Sequence, residues 1–272
     1  MSDKGEDDGQ LINIRNQASL SLAGNFADAA ISFLGLILFA NILGADGLGK
    51  FYIVLAIVKV ALFPVAGIGQ SVMKRGSEQG FDPAIFFGGG LVYGVAYAFT
   101  VGGVVAVVVA IEPELLQYSL FIVGGAFAVF FSRVFYILLL DTYRSRGKTG
   151  FATLTDNVHG IVETGVQVVF LLAGLNVVSL LAGTTLTTVV VTLVLFAISN
   201  ISISRPSVES LHSIGRFARW SVLKSGLGTV HDRIPVLVLG FFLGEVTAGY
   251  YTSAMRLLML GSYVGASIAP AL

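Results

Sequence analysis

Cysteine is missing altogether from these 272 residues, which excludes disulfide frameworks, thiolate metal sites and cysteine nucleophiles. Charge is scarce as well. Only 12% of residues are charged, and 16 bases balance 16 acids, so net charge offers no attraction to nucleic acid. The three histidines, His159, His212 and His231, lack any zinc-ligand spacing. No glycine-rich phosphate loop or nucleophile motif is present, and no polar stretch is long enough to hold a catalytic domain. Gly88-Gly89-Gly90 lies inside an apolar run and cradles no phosphate. The expectation is therefore a protein that is not an enzyme, has no catalytic residues, carries no metal or cofactor and takes no nucleic acid. The acidic, polar start from Met1 to Gln10 lacks the basic region that opens a cleaved signal peptide, so the first apolar segment reads as a retained helix.

What the chain has in abundance is apolar surface: 55% hydrophobic residues, 33 glycines and a mean hydropathy of +0.87. Such a chain cannot cover itself with polar groups in water, so lipid must be its main solvent. A membrane span needs about 20 apolar residues, and eight stretches qualify, near 18–43, 48–73, 84–111, 115–140, 151–174, 176–199, 217–243 and 247–272. The fold class expected is an all-α polytopic transmembrane bundle of about eight spans. Lys4 and Arg15, Lys74 and Arg75, Arg144, Arg146 and Lys148, and Arg205, Arg216 and Arg219 fall before or between alternate spans, while the opposite turns hold only Lys50. Basic loops resist translocation, which makes the N-terminus cytoplasmic in a multi-pass plasma-membrane protein and turns Glu112, Glu114 and Glu245 to the far side.

Leu43-Gly44, Gly49 and Phe51-Tyr52 are echoed by Leu243-Gly244, Gly249 and Tyr250-Tyr251 at an offset of 200 residues. Both copies lie at the turn between the first two spans of a half, so the halves are expected to repeat in parallel about an axis normal to the membrane. The domain reading is a polar cytoplasmic N-terminus over 1–17, a six-helix lobe over 18–200, an amphipathic cytoplasmic linker over 201–219, and the first two helices of an incomplete second lobe over 220–272. On this reading about four further spans would complete the second lobe.

Ionisable groups at membrane depth are costly and usually face a partner or a water-filled cavity. Ser21, Asn25, Asp28 and Ser32 share one face of the first span, and Asp156, His159, Glu163 and Gln167 one face of the fifth. Lys59 lies near the middle of the second span and Arg133 in the fourth, while Asp232 and Arg256 echo the first two spans in the second half. The plainest structural role is pairing, Asp28 with Lys59 and Asp232 with Arg256. Repeated over several helices, the polar faces instead describe a hydrated cleft. Asp156 reads as interface polarity, Arg233 as a side chain that snorkels or pairs with a backbone carbonyl, and the threonines at 184, 185, 187, 188 and 192 as groups bonded to their own helix. His159 and Glu163, four residues apart, form a candidate proton-sensitive pair.

The run Ile42-Leu43-Gly44-Ala45-Asp46-Gly47-Leu48-Gly49-Lys50-Phe51-Tyr52, then Gly67 to Arg75, and Asp232 with the run Gly240 to Tyr251 resemble the polysaccharide (Wzx-like) flippases. These belong to the superfamily that also contains multidrug and toxin extrusion (MATE) transporters and the lipid II flippase. The resemblance implies two lobes around a cleft of alternating access, and a polyprenyl phosphate or pyrophosphate carrying an oligosaccharide as substrate. It implies roles as well: Lys59, Arg133, Arg256 and Asn25 for the phosphate and sugar cleft, and Asp28, Glu163, His159 and Asp232 for proton or sodium coupling. Membrane lipid and the glycosyltransferases or polymerase of the same pathway are the implied partners. Three rivals stay open: a MATE-like drug/cation antiporter using Asp28 and Asp232, a polytopic glycosyltransferase, and a nonfunctional half.

Overall fold

The computed structural model describes residues 4–78, 82–111, 120–174, 176–199 and 201–268, and side chains at 24 and from 26 to 258 within them. Glu112 and Glu114 lie outside the described residues, as does the side chain of Asn25. Among the described residues every regular element is a helix: α1 (Lys4–Gly76), α2 (Pro83–Ile111), α3 (Leu120–Ser145), α4 (Thr149–Leu172), α5 (Asn176–Ile198), α6 (Val208–Leu243) and α7 (Glu245–Ile268).

Five stretches are long and apolar enough to cross a bilayer: Phe26–Gly76, Pro83–Ile111, Leu120–Ser145, Asn176–Ile198 and Val208–Leu243. The first runs to 51 residues, which laid straight would measure about 75 Å, more than twice a hydrocarbon core. The helix α1 that contains it is in fact two arms, 4–43 and 45–76, broken at Gly44, where φ 67° and ψ 179° leave the helical region. A residue with a Cβ adopts positive φ only at a cost. Counting both arms, and with α4 and α7 added, eight helical segments follow the eight apolar stretches. α4 and α7 are long enough to span, at 24 residues each, but their polar faces make them less apolar than the rest.

Gly244, between α6 and α7, repeats the break with φ 88° and ψ 171°. Close packing repeats with it. A Cβ on Gly49 would run into the backbone carbonyl of Glu245, and one on Gly249 into that of Ala45. Positions 45 and 49 thus meet positions 245 and 249 reciprocally, a local two-fold relation at this crossing. The second arm of α1 lies along α6: Gly67 abuts Val222, Gly226 abuts Phe63, and Gln70 Nε2 donates to Ser225 Oγ at 3.0 Å.

The linker expected over 201–219 is not a separate interfacial helix. Ser207 caps α6 by accepting from Ser210 N at 3.1 Å, and from Val208 the helix continues without a break into the apolar span. No glycine or proline pair interrupts residues 208–220, so helix propagation outruns the change in polarity. Its first turns are amphipathic, with Ser210, Ile214 and Ala218 buried and His212, Arg216 and Arg219 turned outward. Gly88 and Gly89 pack against Ser204, Pro206 and Ile214 of this segment, and Tyr93 Oη donates to Leu211 O at 3.1 Å. The triple glycine therefore serves close packing.

The bundle has two ends: an elbow end at Gly44 and Gly244, and a basic end at Lys74, Arg75, Arg144, Arg146 and Lys148.

Candidate functional site

Between the helices lies a cavity of about 510 Å³, running from Arg144 near the basic end to Phe39 and Tyr52 near the elbow end. Its wall is built by both arms of α1 and by α3, α4, α5, α6 and α7. The spacing of the polar residues explains why they converge: Asp156, Gly160, Glu163 and Gln167 recur every three or four positions on α4, as do Tyr52, Leu55 and Lys59 on α1, so each set forms one stripe. Small residues let the helices close in. The carboxylate of Asp28 lies where a Cβ on Gly160 would stand.

Seven of the eight residues singled out from the sequence have described side chains, and six of those, Asp28, Lys59, Arg133, Glu163, Asp232 and Arg256, line this one cavity. His159 does not. Its side chain is buried behind the wall, with Nε2 3.0 Å from Thr188 Oγ1 and Nδ1 3.4 Å from Glu163 Oε2. The expected proton-sensitive pair is thus close, and the imidazole ring rests on Tyr136, centroid to centroid 4.7 Å.

The pairings expected from the sequence, Asp28 with Lys59 and Asp232 with Arg256, are absent among the described residues. Arg133 instead donates to Glu163 Oε2 at 2.7 Å, because α3 and α4 bring these two side chains together inside one lobe. Around that pair, Thr184 Oγ1 donates to Glu163 Oε1 at 2.7 Å, and Gln167 Nε2 donates to Thr184 Oγ1 at 2.9 Å. Thr184 and Thr188 therefore reach across to α4, whereas Thr185 and Thr192 bond carbonyls of their own helix, at 2.9 and 2.6 Å.

Asp156, read as interface polarity, lines the cavity and accepts from Tyr136 Oη at 2.9 Å. Arg144 also lines it and is held by Asp141 at 2.7 Å.

On the other side of the cavity the charges are loose. Lys59 is open to the cavity and forms no ion pair among the described residues; Arg233, Arg256, Arg133 and Glu163 line the same cavity. Arg233, read as a snorkelling or carbonyl-paired side chain, lines the cavity beside Asp232. Arg256 lies 5.0 Å from the Tyr52 ring centroid and reaches Ser32 O at 3.5 Å. Asp28 has one buried carboxylate oxygen, Oδ1, without a hydrogen-bond partner among the described residues. Sequence reasoning underrated Arg233 and Asp156, although the helical spacing of Asp156 with Gly160 and Glu163 carried the signal.

No family model matches the chain. It is 26% identical over 254 residues to the "Probable low-salt glycan biosynthesis flippase Agl15" of Haloferax volcanii, covering 89% of this chain and 51% of that protein. It is 24% identical over 252 residues to the "Probable flippase AglR" of the same organism, covering 91% and 52%. The chain spans about half the length of these curated relatives. Among solved structures it superposes on an inward-facing multidrug resistance MATE family transporter of the MOP superfamily with a TM-score of 0.64 and 19% identity, covering 93% of this chain and 59% of that one. It superposes on the MATE multidrug transporter DinF-BH, solved as a complex, with a TM-score of 0.66 and 17% identity, covering 92% and 61%. The chain is a multi-pass membrane protein similar in sequence to flippases and MATE-like in fold, as the motifs around Gly44 and Gly244 imply.

Proposed function

We propose that the protein to which this chain belongs flips a polyprenyl phosphate or pyrophosphate carrying an oligosaccharide across the plasma membrane, for surface glycan synthesis. The observation that carries this reading is the set of cavity cations without carboxylate partners among the described residues, Lys59, Arg233 and Arg256. Cations that no carboxylate bonds directly are costly in a cleft between helices, and an anionic head group relieves that cost through charge-assisted bonds to its phosphate oxygens. The glycan-flippase name of a relative agrees with such a head group. In this reading Arg133, tied to Glu163, shapes the wall and contacts phosphate secondarily, while Asn25 lies on the helix face that carries Asp28. In this reading the chain comprises a six-helix lobe over 18–200 and the first two helices of a second lobe from 220 onward, with α1 lining the cavity beside α6 and α7, and the N-terminus is cytoplasmic. Of the candidate coupling groups, Asp28 and Asp232 are ahead of Glu163 and His159, because the last two already satisfy each other and their neighbours.

The test is reconstitution of the full-length protein in liposomes with a fluorescent lipid-linked oligosaccharide. Lys59→Gln and Arg256→Gln are each expected to slow flipping by about 10- to 100-fold, the loss of one charged hydrogen bond to phosphate, with folded protein still in the membrane. Flipping at the normal rate in both variants sinks the assignment.

A second reading is favoured by the carboxylates Asp28, Asp156 and Asp232 in the same cavity: export of an organic cation. Loss of dye export in Asp28→Asn and Asp232→Asn, with lipid flipping intact, selects it.

A further inference from the structure

The elbow end carries charges that the cavity does not use. Lys50 Nζ lies 2.9 Å from Asp46 Oδ2 within its own helix and 3.3 Å from Glu245 Oε2 across the boundary between the halves. These side chains stand directly over the reciprocal crossing of Gly49 with Glu245 and Gly249 with Ala45, and the cavity ends one turn below it, at the buried Phe51 and Tyr52. The crossing therefore closes the elbow end.

We propose that Lys50, Asp46 and Glu245 form an inter-half latch that holds the elbow end of the cavity shut and breaks when that end opens. The backbone crossing is two-fold symmetric, but its charges are not. The counterparts of Asp46, Lys50 and Glu245 at the repeat offset are Val246, Tyr250 and Ala45. Packing alone is served by the glycines on both sides, so a charge triad on one side adds something packing does not need. Asp46 holds the Lys50 ammonium at one helical turn, aimed at Glu245, the first residue of α7, where a carboxylate also complements the helix N-terminus. The side chains of Lys50, Asp46 and Glu245 are all partly exposed, at 34%, 59% and 24%. Ion pairs in such surroundings are individually weak and screened by salt, which suits a contact that must form and break while both states stay populated.

The latch rests on the transport reading for its purpose, but its test needs no substrate. In the full-length protein, with any cysteine outside these residues replaced, Leu55→Cys places a reporter in the cavity wall near the elbow end. Val246→Cys, on an exposed position of the elbow, marks the side from which a membrane-impermeant maleimide arrives. Lys50→Gln and Glu245→Gln are expected to label at residue 55 about threefold faster from that side, a shift matching one weak ion pair. The charge exchange K50E with E245K is expected to label more slowly than K50E or E245K alone, and Asp46→Asn, which leaves the Lys50–Glu245 pair in place and removes a like charge beside Glu245, to change labelling less than Lys50→Gln. Unchanged labelling in both single variants, with Val246→Cys labelled normally, overturns the latch, and so does a charge exchange that labels as fast as K50E or E245K alone. A disulfide between Lys50→Cys and Glu245→Cys is expected to abolish labelling of residue 55 and to restore it on reduction. Labelling that persists with the bridge formed overturns the latch. Failure of the flippase reading would leave these labelling rates as they are.

Discussion

The two walls of the cavity treat charge in opposite ways. On the α3, α4 and α5 side, the charged groups are tied: Arg133 to Glu163, Arg144 to Asp141, Asp156 to Tyr136, with Thr184, Gln167 and His159 completing the network. On the α1, α6 and α7 side, Lys59, Asp232 and Arg233 have no ion pair among the described residues, and Arg256 touches only a carbonyl and a ring. A satisfied network fixes helix register within one lobe and gains little from a ligand. An unsatisfied set is unstable alone and gains from one, so the tied wall should respond to mutation through stability and the loose wall through transport.

Glu163→Gln is expected to have the largest effect, because it strands Arg133 beside a neutral amide. Removing one partner of a largely buried pair costs about 3–5 kcal/mol. Thermal unfolding in detergent would show it as a fall in melting temperature, and the double replacement of Arg133 and Glu163 by Met and Leu should recover most of the loss. A melting point unmoved in the single variant would erase the distinction between the walls.

Lys59→Met should separate the same two quantities in the other direction. Relieving like charge from Arg233 and Arg256 is expected to leave stability unchanged or raised by up to about 1 kcal/mol, while flipping falls by about 10- to 100-fold. Stability and transport measured on one preparation decide it, and a parallel loss of both would make Lys59 structural.

Gly160→Ala sharpens the boundary where the walls meet. The new methyl group would collide with the Asp28 carboxylate, and overpacking of this kind costs about 1–3 kcal/mol. Oδ1 of Asp28 is buried and has no hydrogen-bond partner among the described residues, so turning it aside breaks no hydrogen bond of that oxygen. The lower part of that range is expected from thermal unfolding, together with a change in any proton or sodium dependence of transport.

Much of this was legible in the sequence because periodicity and composition act locally. The apolar runs, the breaks at Gly44 and Gly244 and the stripe from Asp156 to Gln167 are properties of one helix at a time. The convergence of Asp28, Lys59, Glu163, Asp232 and Arg256 follows once those helices form a bundle. Pairing was not legible. Which acid meets which base depends on helix rotation and crossing, and a helix turned by one residue exchanges Asp28 for Glu163 as the partner of a cation. The same applies to Arg233, whose neighbour Asp232 was the residue the repeat picked out, and to α6, where the change from polar to apolar residues looked like an element boundary but the backbone has no breaker.

The smallest expected effect concerns Tyr52, which couples the loose wall to the elbow. Its ring lies 5.0 Å from the Arg256 guanidinium, and its hydroxyl is buried without a hydrogen-bond partner among the described residues. A cation–π contact holds the guanidinium in place and, apart from the one N–H that reaches Ser32 O, leaves its N–H groups for an anion, whereas a carboxylate would occupy them, as Glu163 does for Arg133. Tyr52→Phe keeps the ring and removes an unsatisfied hydroxyl, so flipping should be retained and the melting temperature equal or slightly higher. Tyr52→Leu removes the ring, and with it about 0.5–1 kcal/mol of attraction, so apparent substrate affinity should weaken by roughly threefold with the maximal rate unchanged. If Phe and Leu behave alike, Arg256 is positioned by the backbone of α7 alone, and Tyr52 serves only to fill the end of the cavity.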